Sequence, residues 1–224
     1  MNIEVSEMIE ETRIKIAELG QLMFDRFLTD TAGGNISARV GDLVCITMAG
    51  CGSNYRWRIT ADQVLVTDLS GNVIKGQGKI SREAKTHYRL YQCYSEGQAV
   101  VHCHARNVLV FACAGLPIAP CLESTLKFGT IPVCQYAPAH SDELAEHIAA
   151  SMEGRESQIT KMAALTIAPW HGLFSFGRNL DTAFDAAERT EVNAQVALHS
   201  HLLGVDMPAR LAQLQKERIP FLDK

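Results

Sequence analysis

The stretch Val100-Val101-His102-Cys103-His104 limits what this chain can fold into more than any other. It reads as a buried β-strand that carries two imidazoles. Side chains alternate faces along a strand, so His102 and His104 point one way and Cys103 the other. Two imidazoles side by side on a rigid strand form half of a metal site, and nitrogen donors suit zinc and similar divalent ions. Taken alone, the pair also reads as two histidines each satisfied by a hydrogen bond. The rest of the sequence has to decide between the two.

With 224 residues and 47% apolar composition, the chain can bury a substantial core without disulfide staples, as one large domain or at most two small ones. The formal net charge is -4 and no basic block stands out, which argues against a nucleic-acid partner. The seven cysteines are scattered and lack a Cys-x-x-Cys pair, the pattern of a reduced, cytoplasmic protein. Met1-Asn2-Ile3-Glu4-Val5 does not resemble a secretory signal, and no apolar run approaches the ~20 residues of a membrane span.

Helical spacing of Ile9, Ile16, Met23 and Phe27 predicts a first helix from about Ser6, its N-cap, to Phe27. The small-residue turn Thr31-Ala32-Gly33-Gly34-Asn35-Ile36-Ser37 can aim backbone N–H groups at an anion, or serve only as a turn. Strands at Leu43–Thr47, Val64–Asp68 and Val73–Gly76 suggest an antiparallel meander, with a second glycine turn ending near Gly50 and Gly52. Ser81 is a natural N-cap for a helix over Arg82–Tyr94, with Glu83 in its first turn, where a carboxylate also suits the helix dipole. Further elements are a helix at Asn107–Ala114, a strand at Ile131–Gln135, a helix at Asp142–Met152 and a buried strand at Ala163–Ile167. The last of these leads through His171-Gly172 to a hairpin partner at Leu173–Gly177, then to a long helix at Leu180–Leu203. The tail from Ala209 starts helical and ends at Pro220. The sum is one mixed α/β domain over residues 1–224, with helices covering a mostly antiparallel sheet.

The order and spacing of these pieces resemble the class II aldolase/adducin superfamily. The resemblance rests on Gly34-Asn35-Ile36-Ser37, Ile46-Thr47 with its turn to Gly50, Ser81-Arg82-Glu83 with His87 and Tyr91, Val100-Val101-His102-Cys103-His104, and His171-Gly172 with Gly177 and Glu188. It implies helices on both faces of the sheet and a divalent metal, usually zinc, held by His102, His104 and His171. It implies that Glu83 moves the proton beside a metal-stabilised enediolate. It also implies that a substrate phosphate is held by Asn35, Thr47, Gly50 and Ser81, and that the chain assembles as a homotetramer. Three imidazoles with an open position make a catalytic rather than a closed structural site. The implied reaction is reversible cleavage of a ketose phosphate to dihydroxyacetone phosphate and an aldehyde. A 4-epimerase, a dehydratase, a keto-acid-phosphate decarboxylase and a non-catalytic adducin-like module are the alternatives on the same scaffold.

Five departures from the family pattern stand out. Ile80-Ser81-Arg82-Glu83 replaces the usual Pro-Ser-Ser-Glu, so Arg82, able to grip a phosphate or carboxylate bidentately, stands where a serine is usual. Met48-Ala49-Gly50 replaces Pro-Ser-Gly, and Cys51–Trp57 reads as an insertion. His140 stands at a common glycine and is not counted with the metal ligands. The additional tyrosine of related aldolases has no clear equivalent, Tyr136 being the nearest later candidate.

Overall fold

Ile9, Ile16 and Met23 share one face of the first helix, α1 (Ile3–Asp25), and all three are buried against a sheet. The computed structural model describes residues 3–216, so the end of the tail at Pro220 lies outside the described residues. α1 already includes Ile3, which puts Ser6 within the helix rather than at its cap.

The sheet has seven strands, β1 (Asn35–Val40), β2 (Leu43–Thr47), β3 (Val64–Asp68), β4 (Val73–Lys75), β5 (Ala99–Cys103), β6 (Ala163–Ala168) and β7 (Gly172–Gly177), in the order β4-β3-β2-β1-β5-β7-β6. Every neighbouring pair is antiparallel. β2, β3 and β4 form the expected meander; β1, whose first residues 35–37 read as a turn in the sequence, pairs with β2, and the histidine strand β5 lies between β1 and β7. Its register sets His102 opposite Asn35 on one side and Phe174 on the other.

Alternation along β5 divides the interior into two cores. Val101 and Cys103 join α1, α4 (Arg106–Ala114) and α7 (Leu180–Ser200) on one face. Val100 joins Phe174, Phe176 and the inward faces of α3 (Ala84–Cys93) and α5 (Asp142–Ala150) on the other. Helices therefore cover both faces of the sheet. None of the described helices is long and apolar enough to cross a membrane.

Two local expectations need correction. α3 starts at Ala84, not Arg82, and Ser81 is not its cap. Ile80 is held extended by an antiparallel bridge to Met48, and Arg82 and Glu83 form a turn before the helix begins. Residues 131–135 are not a strand but two isolated bridges, Ile131 with Ile118 and Val133 with Ile167. Pro132 lacks the N–H that a continuous ladder would use. The Cys51–Trp57 segment is built into the fold: α2 (Cys51–Tyr55) delivers Trp57 into the core, fully buried, with its Nε1 donating to the Asp30 carbonyl at 3.0 Å. The indole packs so closely on α1 that a Cβ at Gly20 would lie 2.9 Å from its Cε3. Trp57→Ala is expected to destabilise the fold by about 3–5 kcal/mol in urea titration. A loss under ~1 kcal/mol would show that the segment is dispensable.

Candidate metal centre and active site

The site lies at the end of β5, where the sheet stops and three loops meet. His102 is fully buried, with its ring stacked on Phe174 at a centroid distance of 4.1 Å and an interplanar angle of 12°. Its Nδ1 lies 3.0 Å from the Leu173 carbonyl, which can only accept, so Nδ1 carries the proton and Nε2 presents a lone pair. That Nε2 is buried and unpartnered.

His104 follows two residues later on the same face. Its Nδ1 faces a carboxylate oxygen of Asp30 at 3.6 Å, and its Nε2 is also buried without a partner. The same Asp30 oxygen accepts from the backbone N–H groups of Ala32 (2.7 Å) and Gly33 (3.1 Å), folding the glycine turn against the His104 ring. The fit is close enough that a Cβ at Gly33 would fall 1.8 Å from His104 Cε1.

His171 comes from the β6–β7 turn. Gly172, at φ +159, lets the start of β7 cross the end of β5, where a Cβ would meet the Cys103 carbonyl oxygen at 2.5 Å. One nitrogen from each of His102, His104 and His171 lies within 4.8 Å of the others, a group that could hold a metal ion. Neutral nitrogen donors and orphaned buried ring atoms fit a divalent ion of the zinc type. The electrostatics agree. Burial holds His102 well below the usual imidazole range and lowers His104 against the opposing pull of Asp30, while burial followed by the neighbouring His104 and His140 pushes His171 down to about 4. All three rings are thus neutral near pH 7, as metal ligation requires.

Glu83 sits beside the triad with one carboxylate oxygen 3.7 Å from His171 Nε2 and a side chain only 5% exposed. Burial raises its carboxyl above the usual range, with the charges of His140 and then Arg82 opposing. The same oxygen is in close contact with Nδ1 of His140, although the pair lacks hydrogen-bond alignment.

A cavity of about 410 Å³ opens over these groups. Asn35, Gly50, Ser81 and Arg82 line it with the triad, Glu83 and His140. The Asn35 amide donates to the Ser81 hydroxyl at 3.1 Å, and that hydroxyl accepts from the Glu83 backbone N–H at 3.3 Å. Asn35 Oδ1 is buried and unpartnered. Thr47 is not brought to the cavity; its hydroxyl is buried and accepts from the Ile36 N–H at 3.1 Å, tying β2 to β1. Tyr136 does not line the cavity either. It stands against the exposed ring of Trp170 at a centroid distance of 5.9 Å, near the rim.

Asp30 escaped the sequence reading, although it left a signal in the spacing Asp30-Thr31-Ala32-Gly33, an Asx turn ahead of the glycines. His140, set apart from the metal ligands on the sequence, lines the cavity beside Glu83 and is not among the three converging imidazoles.

Behind the site, His87 is fully buried with Nδ1 2.6 Å from the Ser37 hydroxyl, which also meets the Tyr91 hydroxyl at 2.7 Å. Burial pushes His87 down to about 3, so it folds neutral. A histidine with a depressed folded value contributes stability above its unfolded value of ~6.5 and loses it as pH falls from there towards 3, by about 1.4 kcal/mol per pH unit. Denaturation between pH 6 and pH 4 should include this contribution alongside those of the three site histidines, and His87→Gln should reduce the slope by one proton. Equal slopes would contradict the assignment.

An antiparallel α/β sheet thus brings three histidines that could hold a metal ion together at its end, with a buried carboxylate beside them. Residues 14–198 match the family described as Class II Aldolase and Adducin N-terminal domain, and the chain belongs to that family. It is 31% identical to the L-fuculose phosphate aldolase of Methanococcus maripaludis strain S2 over 79% of this chain and 90% of that one. It is 27% identical to the 5-deoxy-D-ribulose 1-phosphate aldolase of Bacillus thuringiensis serovar kurstaki over 88% of this chain and 89% of that one. Among solved structures, an L-fuculose 1-phosphate aldolase superposes with a TM-score of 0.76 at 25% identity, covering 90% of this chain and 96% of the other.

Proposed function

We propose that this protein is a zinc-dependent class II aldolase that reversibly cleaves a ketose phosphate to dihydroxyacetone phosphate and an aldehyde. The observation that carries the reading is the meeting of His102, His104 and His171 beside the buried Glu83 carboxylate in one open cavity. Relatives named as sugar-phosphate aldolases support it.

His102, His104 and His171 are the residues that would hold the ion. When bound, the ion supplies Lewis-acid polarisation of a carbonyl oxygen. Glu83 moves the proton, returning it to the donor carbon in cleavage and removing it in condensation. Its raised carboxyl suits an exchange in both directions. The phosphate goes to the part of the cavity where Asn35, Ser81 and the Gly50 turn offer polar groups and Arg82 a fork of donors. The Asn35 amide and the Ser81 hydroxyl hold each other in place for that contact. A homotetramer in the cytoplasm is proposed from the family likeness, and light scattering that finds a monomer would reject it.

Metal-loaded protein incubated with a panel of ketose 1-phosphates should release dihydroxyacetone phosphate from at least one. Turnover of a sugar phosphate that never yields this product would move the assignment to an epimerase, dehydratase or decarboxylase.

A further inference from the structure

We infer that Trp170 selects the aldehyde partner of the reaction, favouring one with an apolar tail, an assignment that rests on the aldolase reading above. Trp170 lines the same cavity as the metal triad and is next in sequence to His171, yet it is 74% exposed. A single apolar residue on a protein surface is ordinary. This one is held in place at a cost.

The β6–β7 turn closes with the His171 N–H donating to the Ala168 carbonyl at 3.1 Å, and Pro169 and Trp170 are its central residues. Trp170 takes φ +56, at the second central position, where glycine is the usual residue for a positive φ. A bulky side chain in that region is strained, and such strain gathers at sites that clamp ligands. The residue is then fixed from outside the turn. Its backbone N–H donates to the Ala112 carbonyl at 3.1 Å and its indole Nε1 to the Cys113 carbonyl at 3.0 Å, both near the C-terminal end of α4. The indole has no second donor, so what it leaves open is its apolar face. The exposed Tyr136 ring meets it at an interplanar angle of 63°, and Leu109 on α4 adds aliphatic lining to the cavity.

The sheet order places this surface relative to the phosphate. β1 flanks β5 on one side and β7 on the other, so Asn35 and the turn that carries Trp170 stand on opposite sides of His102. A ketose phosphate lying across the triad with its phosphate near Asn35 extends its far carbons towards the indole. Those carbons leave as the aldehyde when the carbon–carbon bond breaks. An aromatic face gains contact with C–H groups, and its negative quadrupole repels an anion. The geometry therefore suits an aldehyde with a hydrocarbon or deoxygenated end, and disfavours one that ends in a second phosphate or a carboxylate.

The test condenses dihydroxyacetone phosphate with acetaldehyde and with pentanal on the metal-loaded full chain. The two carbonyls are alike and only the tails differ. Wild-type kcat/KM should rise on the order of 10-fold from the short aldehyde to the long one. Glycine is at ease at φ +56, so Trp170→Gly should keep its metal and its acetaldehyde rate. Its preference for pentanal should shrink to under about 3-fold. A wild type that treats both aldehydes alike, or cleaves a ketose phosphate but accepts neither aldehyde, overturns the assignment and leaves the aldolase reading standing. So does a variant that keeps the preference. A variant that loses both rates equally and forms a smaller oligomer by light scattering makes the ring a subunit contact, which also overturns it. A wild type that neither condenses an aldehyde nor cleaves any ketose phosphate overturns the aldolase reading, and this assignment with it.

Discussion

Gly33→Ala is expected to abolish metal binding while leaving the protein folded. The added Cβ would stand 1.8, 2.3 and 2.4 Å from three atoms of the His104 ring, far inside van der Waals contact. Something must move, and the turn is the better anchored partner. Asp30 holds the Ala32 and Gly33 N–H groups, and the Thr29 hydroxyl donates to the Gly33 carbonyl at 2.8 Å. The imidazole, held by a longer 3.6 Å contact to Asp30, is displaced instead. Losing one of three ligands should weaken metal binding by more than the ~10- to 100-fold that loss of an outer hydrogen-bond partner brings. The metal-free protein should keep its stability within about 1 kcal/mol, because the site lies at a sheet end. Calorimetric titration with zinc, alongside urea denaturation of the metal-free form, separates the two effects. Wild-type zinc affinity in this variant would mean that His104 is not a ligand.

Glu83→Gln should be as damaging to turnover and harmless to everything else. The amide matches the carboxylate in shape but cannot take a proton, so kcat should drop by ~10²–10⁴ with metal content unchanged. Stability should not fall, since the substitution removes a buried carboxylate whose oxygens have no hydrogen-bond partner. Steady-state kinetics and a thermal scan of the same preparation check both halves. Turnover within a few-fold of wild type would remove Glu83 from the chemistry.

What the sequence made legible follows the distance over which each signal acts. Period-two alternation around Val100–His104 and period-3.6 spacing in α1 are local, and they correctly placed β5 and the first helix. The meeting of His171 with the other two rings is non-local, and only the family likeness suggested it. The misread elements are those where a hydrogen-bonding detail overrides propensity. Ser81 has the composition of a cap, yet its hydroxyl receives the Asn35 amide from 46 residues away. Pro132 breaks an otherwise strand-like run. Thr47 looks like a plausible phosphate ligand until its hydroxyl is seen to serve the β1 backbone. His140 was the least legible, because a left-handed histidine has no sequence signature beyond its replacement of a glycine.

Anomalous diffraction at the zinc edge, from crystals of the metal-loaded protein, tests the central claim most directly. The account predicts one strong peak per chain, ~2.0–2.1 Å from a ring nitrogen of each of His102, His104 and His171, with a coordination position open to the cavity. No peak there, or a metal bound by fewer than these three imidazoles, would contradict it.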